Sequence, residues 1–334
     1  MRLFRPRERR TIRPVDEARR CKWPAEATWA GATLRRTTVR GWRTYTRILE
    51  VITVLLALMQ ANSTVMDIGQ NCSAVDEAAR EAAAAGAGVL LTPELFPVGY
   101  APLRVRTELD PDTLPGIREH LAGIARRNGI ALVYSLPVVA AGQWHISATL
   151  VSSQGEELLS YSKVHLFGPE ERKAFSPAQE APAVVLLDGI RTSLAICYDV
   201  EFPETARAAA ARGAELLLVP TALAHGFEEV PRILLRARAL ESQLTVAYAN
   251  HCGAEEACEF LGGSVVAAPD GSVLAAAGSG TELLFAEVSA EAAGRARNAV
   301  PYLAERRPRV YRAWEEALGQ ENSREASRDN GGEL

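Results

Sequence analysis

The sequence predicts an α/β layered domain, and three features point to it. From about residue 52 onward, apolar runs of strand length alternate with alanine-rich or amphipathic stretches of helical length. Some of the runs are continuously apolar, as strands covered on both faces are, while others sit in close pairs around turn residues. The composition, 48% hydrophobic and 23% charged over 334 residues, suits one large α/β domain or two small ones. Sheets covered by helices fit this mixture better than a single doubly wound sheet.

Taken in order, "VITVLLALMQ" (51–60) is a strand buried on both faces. "CSAVDEAAREAAAAGAG" (72–88) is an alanine-rich helix stopped by glycines, and "VLLTPE" is a second buried strand ending at Pro93. "LPGIREHLAGIARRNG" is an amphipathic helix stopped by Gly129, followed by the strand "IALVYSLPVV". Shorter strands follow in "SATLVSS", "ELLSYSK", "AVVLLD" and "RTSLAIC". The helix "PETARAAAARG", the strand "AELLLVP", the helix "PRILLRARALESQ" and the strand "TVAYAN" come next. "GGSVVAAPDGSVLAAAG" is two strands around the turn "PDG". The polar segment 320–334 reads as a disordered tail, which bounds the domain at 49–319.

The net charge of −4 hides an asymmetry. Residues 1–50 hold 14 of the 37 basic and 5 of the 41 acidic residues, about +9, which leaves about −13 for the remainder. Residues 1–48 have no sustained apolar period and read as a separate, unstructured basic extension. A start codon assigned too far upstream is the economical account of that extension. The apolar run "ILEVITVLLALM" contains Glu50 and is shorter than the roughly 20 residues a membrane helix needs. Its flanks resemble a twin-arginine signal, but no small-residue cleavage site follows. The acidic domain argues against a nucleic-acid partner, whose footprint is a basic face. No GxGxxG after a strand and no Walker-type loop supports a nucleotide, and no cofactor is expected. The five cysteines are too few and odd in number for a disulfide framework, which suits a cytoplasmic location. "HCGAEEAC" offers His251, Cys252 and Cys258 without a paired CxxC, so no metal is expected there.

Ligands and catalytic groups collect at the carboxyl ends of strands in α/β sheets. Three such ends stand out: Glu94 after "VLLTP", Lys163 after "LLSYS" and Cys197 after "LAI". Singly, they read as a loop acid, a surface charge and an inert thiol. Together they meet a chemical specification. A thiol with a pKa near 8.5 is only a few per cent thiolate at neutral pH, so it needs a base. A carboxylate can take its proton, and an ammonium can stabilise the charge that develops. The five histidines form no arrangement that suggests a Cys–His pair. His165, the best rival, lies on a connecting loop that it can help to fix.

The segments "PELFPVGY", "YSKVHLFGPEERKAFSP" and "LAICYDVEFPETAR" resemble the three signature blocks of the nitrilase, or carbon–nitrogen hydrolase, superfamily. "LLLVPTA", "RARALESQLTVAYAN", "GGSVVAAPDGSVLA" and "ERRPRVY" extend the resemblance from about Val51 to about Trp314. It implies an α-β-β-α sandwich assembled into homo-oligomers, dimers or larger. It also implies Glu94 as general base, Lys163 as electrostatic stabiliser and Cys197 as nucleophile. Glu171 matches a second glutamate that orients the lysine or the substrate. Tyr100, Phe175, Tyr198 and Thr221 fall at substrate-binding positions, Tyr198 through its backbone N–H. The implied activity is hydrolysis of a small linear carboxamide to carboxylate and ammonia through a Cys acyl-enzyme. A 5-aminopentanamide-like substrate is favoured, since the short-chain aliphatic amidases look most similar. A nitrilase, an N-carbamoyl amine hydrolase and an omega-amidase share the same three residues, and a non-catalytic binding member is a further alternative.

Two departures stand out. His145 and Ile146 replace a common Tyr-Asn, and "FSPA" replaces "FSPG". Glu201 and Glu204 are expected to cap the helix beginning near Pro203. Arg236, Arg238 and Glu241 are expected to form ion pairs or subunit contacts.

Overall fold

The computed structural model describes residues 52–256 and 258–329. The basic segment 1–48 lies outside the described residues. Fourteen strands and nine helices are formed among the described residues.

One six-stranded sheet has the order β14-β1-β2-β3-β4-β5, with β1 Thr53–Gln60, β2 Val89–Leu91, β3 Ala131–Ala140, β4 Gln143–Val151, β5 Glu157–Ser162 and β14 Glu282–Ser289. The other has the order β13-β12-β9-β8-β7-β6, with β6 Val184–Leu187, β7 Ile190–Leu194, β8 Leu216–Pro220, β9 Thr245–Ala249, β12 Val265–Ala267 and β13 Val273–Ala276. Each sheet has three parallel strands at its centre, β1-β2-β3 and β7-β8-β9, with antiparallel strands outside them. That arrangement explains the two kinds of strand pattern. The parallel strands are the continuously apolar runs, and the hairpin strands are the flanks. A small hairpin, β10 Cys252–Glu255 and β11 Cys258–Leu261, stands apart from both sheets.

The sheets pack face to face, β1 on β9, β2 and β3 on β8, and β5 on β7. Alternation along the central strands divides the core. In β8, Leu216 and Leu218 join the main cluster shared with the first sheet, while Leu217 and Val219 pack under helices on the outer face. In β9, Ala247 and Ala249 face one way and Val246 and Tyr248 the other. A period of two places successive side chains on opposite faces, so a strand with both faces covered must be apolar throughout. Truncating one of these leucines to alanine costs about 2–5 kcal/mol.

The helices are α1 Ile68–Ala84, α2 Pro102–Glu108, α3 Leu114–Asn128, α4 Gly168–Ala174, α5 Pro203–Ala211, α6 Leu235–Ser242, α7 Ala290–Ala299, α8 Tyr302–Glu305 and α9 Pro308–Asp329. The helices α1 and α3 pack on each other over the first sheet, burying Val75, Ala79 and Ala82 from one and Ile117, Leu121 and Ile124 from the other. Asp67 caps α1 through the Gln70 N–H, and α3 stops at Gly129, whose φ of +63° is left-handed. On the other side α5 and α6 pack together, and α6 lies against β9. Helix, sheet, sheet, helix is the layer order, the α-β-β-α sandwich.

Helix α9 continues through Asp329, into the segment expected to be a disordered tail. Between Gly319 and Gly331 that segment has neither proline nor glycine, so nothing in it stops a helix once begun at Pro308. No described helix is long and apolar enough to cross a membrane.

Candidate active site

The chain segments that leave β2, β5, β7 and β8 converge. Glu94 lies three residues beyond β2, Lys163 directly follows β5, Cys197 lies three beyond β7, and Thr221 directly follows β8. Glu94 and Lys163 are fully buried, and Cys197 is 5% exposed. Lys163 Nζ donates to Glu94 Oε1 at 2.7 Å and to Glu171 Oε1 at 2.7 Å. Glu171 comes from the first turn of α4 and also accepts from the Tyr100 hydroxyl at 2.5 Å and the Phe167 N–H at 2.8 Å. One ammonium is thus held between two buried carboxyls. Cys197 lies beside them, close enough to bear on the charge of Glu94 and Lys163.

The backbone explains the accuracy of this placement. Lys163 is pinned on both sides, its N–H donating to Ile146 O at 2.8 Å and its C=O accepting from Ala178 N at 2.9 Å. Both bonds use main-chain atoms, so Ile146 and Ala178, the two departures from the common pattern, leave them intact. The Glu94 N–H donates to Thr221 O at 3.1 Å, and its C=O lies 2.6 Å from His251 Nε2. Cys197 has φ +45° and Leu95, next to Glu94, has φ +53°. Left-handed geometry at a residue with a side chain costs about 1–2 kcal/mol and persists only where the surroundings impose it.

The electrostatics follow from burial and from an imbalance of charge. Burial pushes the Glu94 carboxyl up, the Lys163 ammonium pulls it down, and Glu171 pushes it up again, leaving it at about 7. For Lys163, burial disfavours the charge, but the two carboxylates outweigh it and hold the ammonium well above its ordinary range. Burial also raises the Cys197 thiol, and Glu94 adds to that, while Lys163 opposes it. The resting sulfur is therefore a thiol. Glu94 Oε2 is buried with no hydrogen-bond partner among the described residues, which leaves one carboxylate oxygen for a proton. The Tyr100 phenol is raised first by burial and then by Glu171, so it stays a donor.

A cavity of about 660 Å³ reaches Tyr100 and Glu171, with Leu103, Phe167 and Ala224 among its walls. Carboxylates are prominent around it, in Glu170, Glu256 and Glu259, and its Arg104 is already engaged by Glu108 at 2.7 Å and by Glu256. Thr221 is buried, donates to the Tyr248 hydroxyl at 2.8 Å and helps to lower the Cys197 thiol. Tyr198 is half-buried, edge-on to Phe167 and Phe202 at ring distances of 5.3 and 4.9 Å. Of the four residues expected to bind substrate, Tyr100 lines this cavity; Tyr198, Thr221 and Phe175 do not, Phe175 being part of the main core.

Several residues near the site have contacts that the sequence did not show. Asp199 is fully buried and accepts from the loops on both sides of the site. His251 lies between the Glu94 carbonyl and Glu255, with Nδ1 2.7 Å from Glu255 Oε1. Burial opposes ionisation of Glu255, but His251 and the N–H groups of Tyr100 and Ser63 hold it at about 2. Arg238 forms an ion pair with Glu241 at 3.1 Å and also donates to the carbonyls of Val200 and Glu201, clamping the turn that begins at Cys197. Glu204 lies in the first turn of α5 as expected, whereas Glu201 ends the preceding 3-10 turn, half-buried, its carboxyl raised by burial. Among the described residues, no group of three or more His, Cys, Asp or Glu side chains is placed to hold a metal ion.

The model of the carbon–nitrogen hydrolase family matches residues 55–298. A Pseudomonas protegens protein described as a hydrolase in the pqqF 5' region is 38% identical over 263 residues, 78% of this chain and 92% of that relative. An (R)-stereoselective amidase from a Pseudomonas species is 37% identical over 54% of this chain and 66% of its own length. Among solved structures, an amidase from Nesterenkonia sp. is 46% identical with a TM-score of 0.73, covering 78% of this chain and 96% of that one. A variant of the same amidase, 45% identical with a TM-score of 0.73 over 78% and 97% of the two chains, carries the acetamide moiety of fluoroacetamide on its active-site cysteine.

Proposed function

Because the chain belongs to the carbon–nitrogen hydrolase family of the nitrilase superfamily, we propose that it hydrolyses a small linear carboxamide through Cys197. The observation that carries this reading is the buried contact of one ammonium with two carboxyls beside a thiol, one carboxyl oxygen being free. Glu94, at about 7, is suited both to take a proton and to give it back near neutral pH. Since the resting sulfur is protonated, its proton passes to Glu94 as Sγ attacks the carbonyl carbon. Lys163 and the Tyr198 N–H stabilise the oxyanion. The intermediate collapses to a Cys197 thioester as Glu94 protonates the departing ammonia. Water then attacks the thioester, giving one proton to Glu94, and the intermediate expels the sulfur, which takes that proton back from Glu94. The product leaves as the carboxylic acid and loses its remaining proton to solvent. Glu171 holds Lys163 and Tyr100 in place.

Carboxylates at the cavity favour an amide whose far end is cationic, of the 5-aminopentanamide type, over one with a terminal carboxylate, because Arg104 is already paired. Among the relatives, a Nesterenkonia amidase variant is in complex with butyramide, and a Bacillus subtilis relative, 29% identical, is a 2-oxoglutaramate amidase. We place the enzyme in the cytoplasm, where its four described free thiols suit a reducing milieu. We also infer a homo-oligomer, supported by Ile233 and Leu240, exposed at and just before α6.

Ammonia release from 5-aminopentanamide, butyramide, glutaramate, N-carbamoylputrescine and butyronitrile tests the proposal. The highest kcat/KM is expected for 5-aminopentanamide. Preference for glutaramate overturns the cationic-end reading, and hydrolysis of no amide overturns the amidase.

A further inference from the structure

Asp199 collects hydrogen bonds from both loops that carry the reactive groups. Its Oδ1 accepts from the N–H groups of Val164 at 3.2 Å and His165 at 2.8 Å, and lies 2.9 Å from His165 Nδ1. Its Oδ2 accepts from the Tyr161 hydroxyl at 3.0 Å and, more weakly, from the Ile196 N–H at 3.4 Å. Tyr161 lies two residues before Lys163, Val164 and His165 follow it, and Ile196 precedes Cys197. Tyr161 belongs to β5, the edge strand of one sheet, with Val164 and His165 just beyond it, and Ile196 lies two residues beyond β7 of the other sheet. The side chain is fully buried. His165 is fixed further by stacking on Phe202 at 3.9 Å.

We propose that Asp199 is a positioning residue for the reaction, setting Cys197 against Lys163 by tying the lysine loop to the strained cysteine turn. It touches no reacting atom. Cys197 keeps its left-handed φ of +45° only while the turn around it is held, and the N–H immediately before Cys197 ends on this carboxylate. A carboxylate is required because the Ile196 N–H on Oδ2 can only donate, whereas the Tyr161 hydroxyl could also accept. An amide oxygen in place of Oδ1 keeps the bonds from Val164 and His165. An amide nitrogen in place of Oδ2 faces the Ile196 N–H with another donor, so the cysteine side of the tie is lost alone.

The inference rests on the amidase reading for its role in turnover, so the test includes a measurement that needs no turnover. Alkylation of Cys197 by iodoacetamide is followed by peptide mass spectrometry in wild type and Asp199→Asn, with the melting temperature of each. A scaffold that is merely loosened exposes a buried thiol, and alkylation becomes faster. A displaced thiol, away from Glu94 and Lys163, reacts more slowly. We expect alkylation slowed at least about tenfold. With butyramide, kcat per alkylatable Cys197 should fall about a hundredfold and KM stay within about twofold, a split that belongs to transition-state positioning. Tyr161→Phe, which removes one donor and keeps the carboxylate, should lower kcat about threefold to tenfold and supplies the test if the Asn variant does not fold. Wild-type or accelerated alkylation in Asp199→Asn overturns the inference, as does wild-type kcat in Tyr161→Phe. If the wild type releases no ammonia, the amidase reading fails while the alkylation comparison still decides the role of Asp199.

Discussion

Replacing Glu171 by Gln should move the pH dependence of the enzyme in a direction that a purely structural glutamate would not. The two carboxyl oxygens on Lys163 Nζ are no farther apart than the sum of two 2.7 Å bonds, 5.4 Å. Two like charges at that distance repel by about 3 kcal/mol at an effective dielectric constant of about 20, equivalent to about 2 pH units. Glu171 is one of the groups that hold Glu94 up at about 7. Without its charge, Glu94 ionises at lower pH. The proposed mechanism needs Glu94 in its basic form, so kcat/KM is expected to rise with pH through the Glu94 pKa, and the variant's rise should occur about 1–2 units lower. The plateau should fall about tenfold to a hundredfold, because a weaker base pulls less on the thiol and Lys163 loses an anchor. The assay is ammonia release from butyramide across about pH 4.5 to 9, with circular dichroism to confirm folding. A rise that stays near 7 or moves upward would refute this coupling.

Cys197→Ala should abolish ammonia release and still bind butyramide, as seen by calorimetry, because in the proposed mechanism the thiol supplies the bond-forming atom and little of the binding surface. Lys163→Met should lower kcat/KM at least about a hundredfold, and urea unfolding should show a loss of about 3–5 kcal/mol, since two buried carboxyls are left without their cation. Glu255, held at about 2 against an ordinary 4.5, contributes stability that is fully present above pH 4.5 and lost as the pH falls toward 2. Glu255→Gln should therefore cost about 3 kcal/mol at pH 7 by urea unfolding, with the gap to wild type closing in acid.

The parts of the site that were legible in the sequence share one property: each is a reactive side chain within three residues of the end of an apolar strand. Glu94, Lys163 and Cys197 could be singled out that way, and the quoted blocks around them carried the family resemblance. Glu171 was reachable because α4 begins five residues after Lys163. The supports were not legible, because their partners are distant and mostly backbone. Asp199 bonds N–H groups 34 and 35 residues away, and His251 lies against a carbonyl 157 residues away. A main-chain partner has no side-chain type to read. The strands β10 and β11 are four residues each, with charges and a glycine among them, too short for a period of two to register. Helices α2 and α4 are seven residues each, below the length at which helical periodicity shows. The raised Cys197 thiol also escaped sequence reasoning, because it arises from burial next to Glu94.

Nucleophilic attack by Cys197 is tested most directly by quenching the enzyme with acid during turnover of butyramide and digesting it for mass spectrometry. A butyryl increment on the peptide containing Cys197, appearing and decaying at rates that account for kcat, is the expected result. Steady ammonia release with that peptide unmodified, or with the acyl group on another residue, would contradict it.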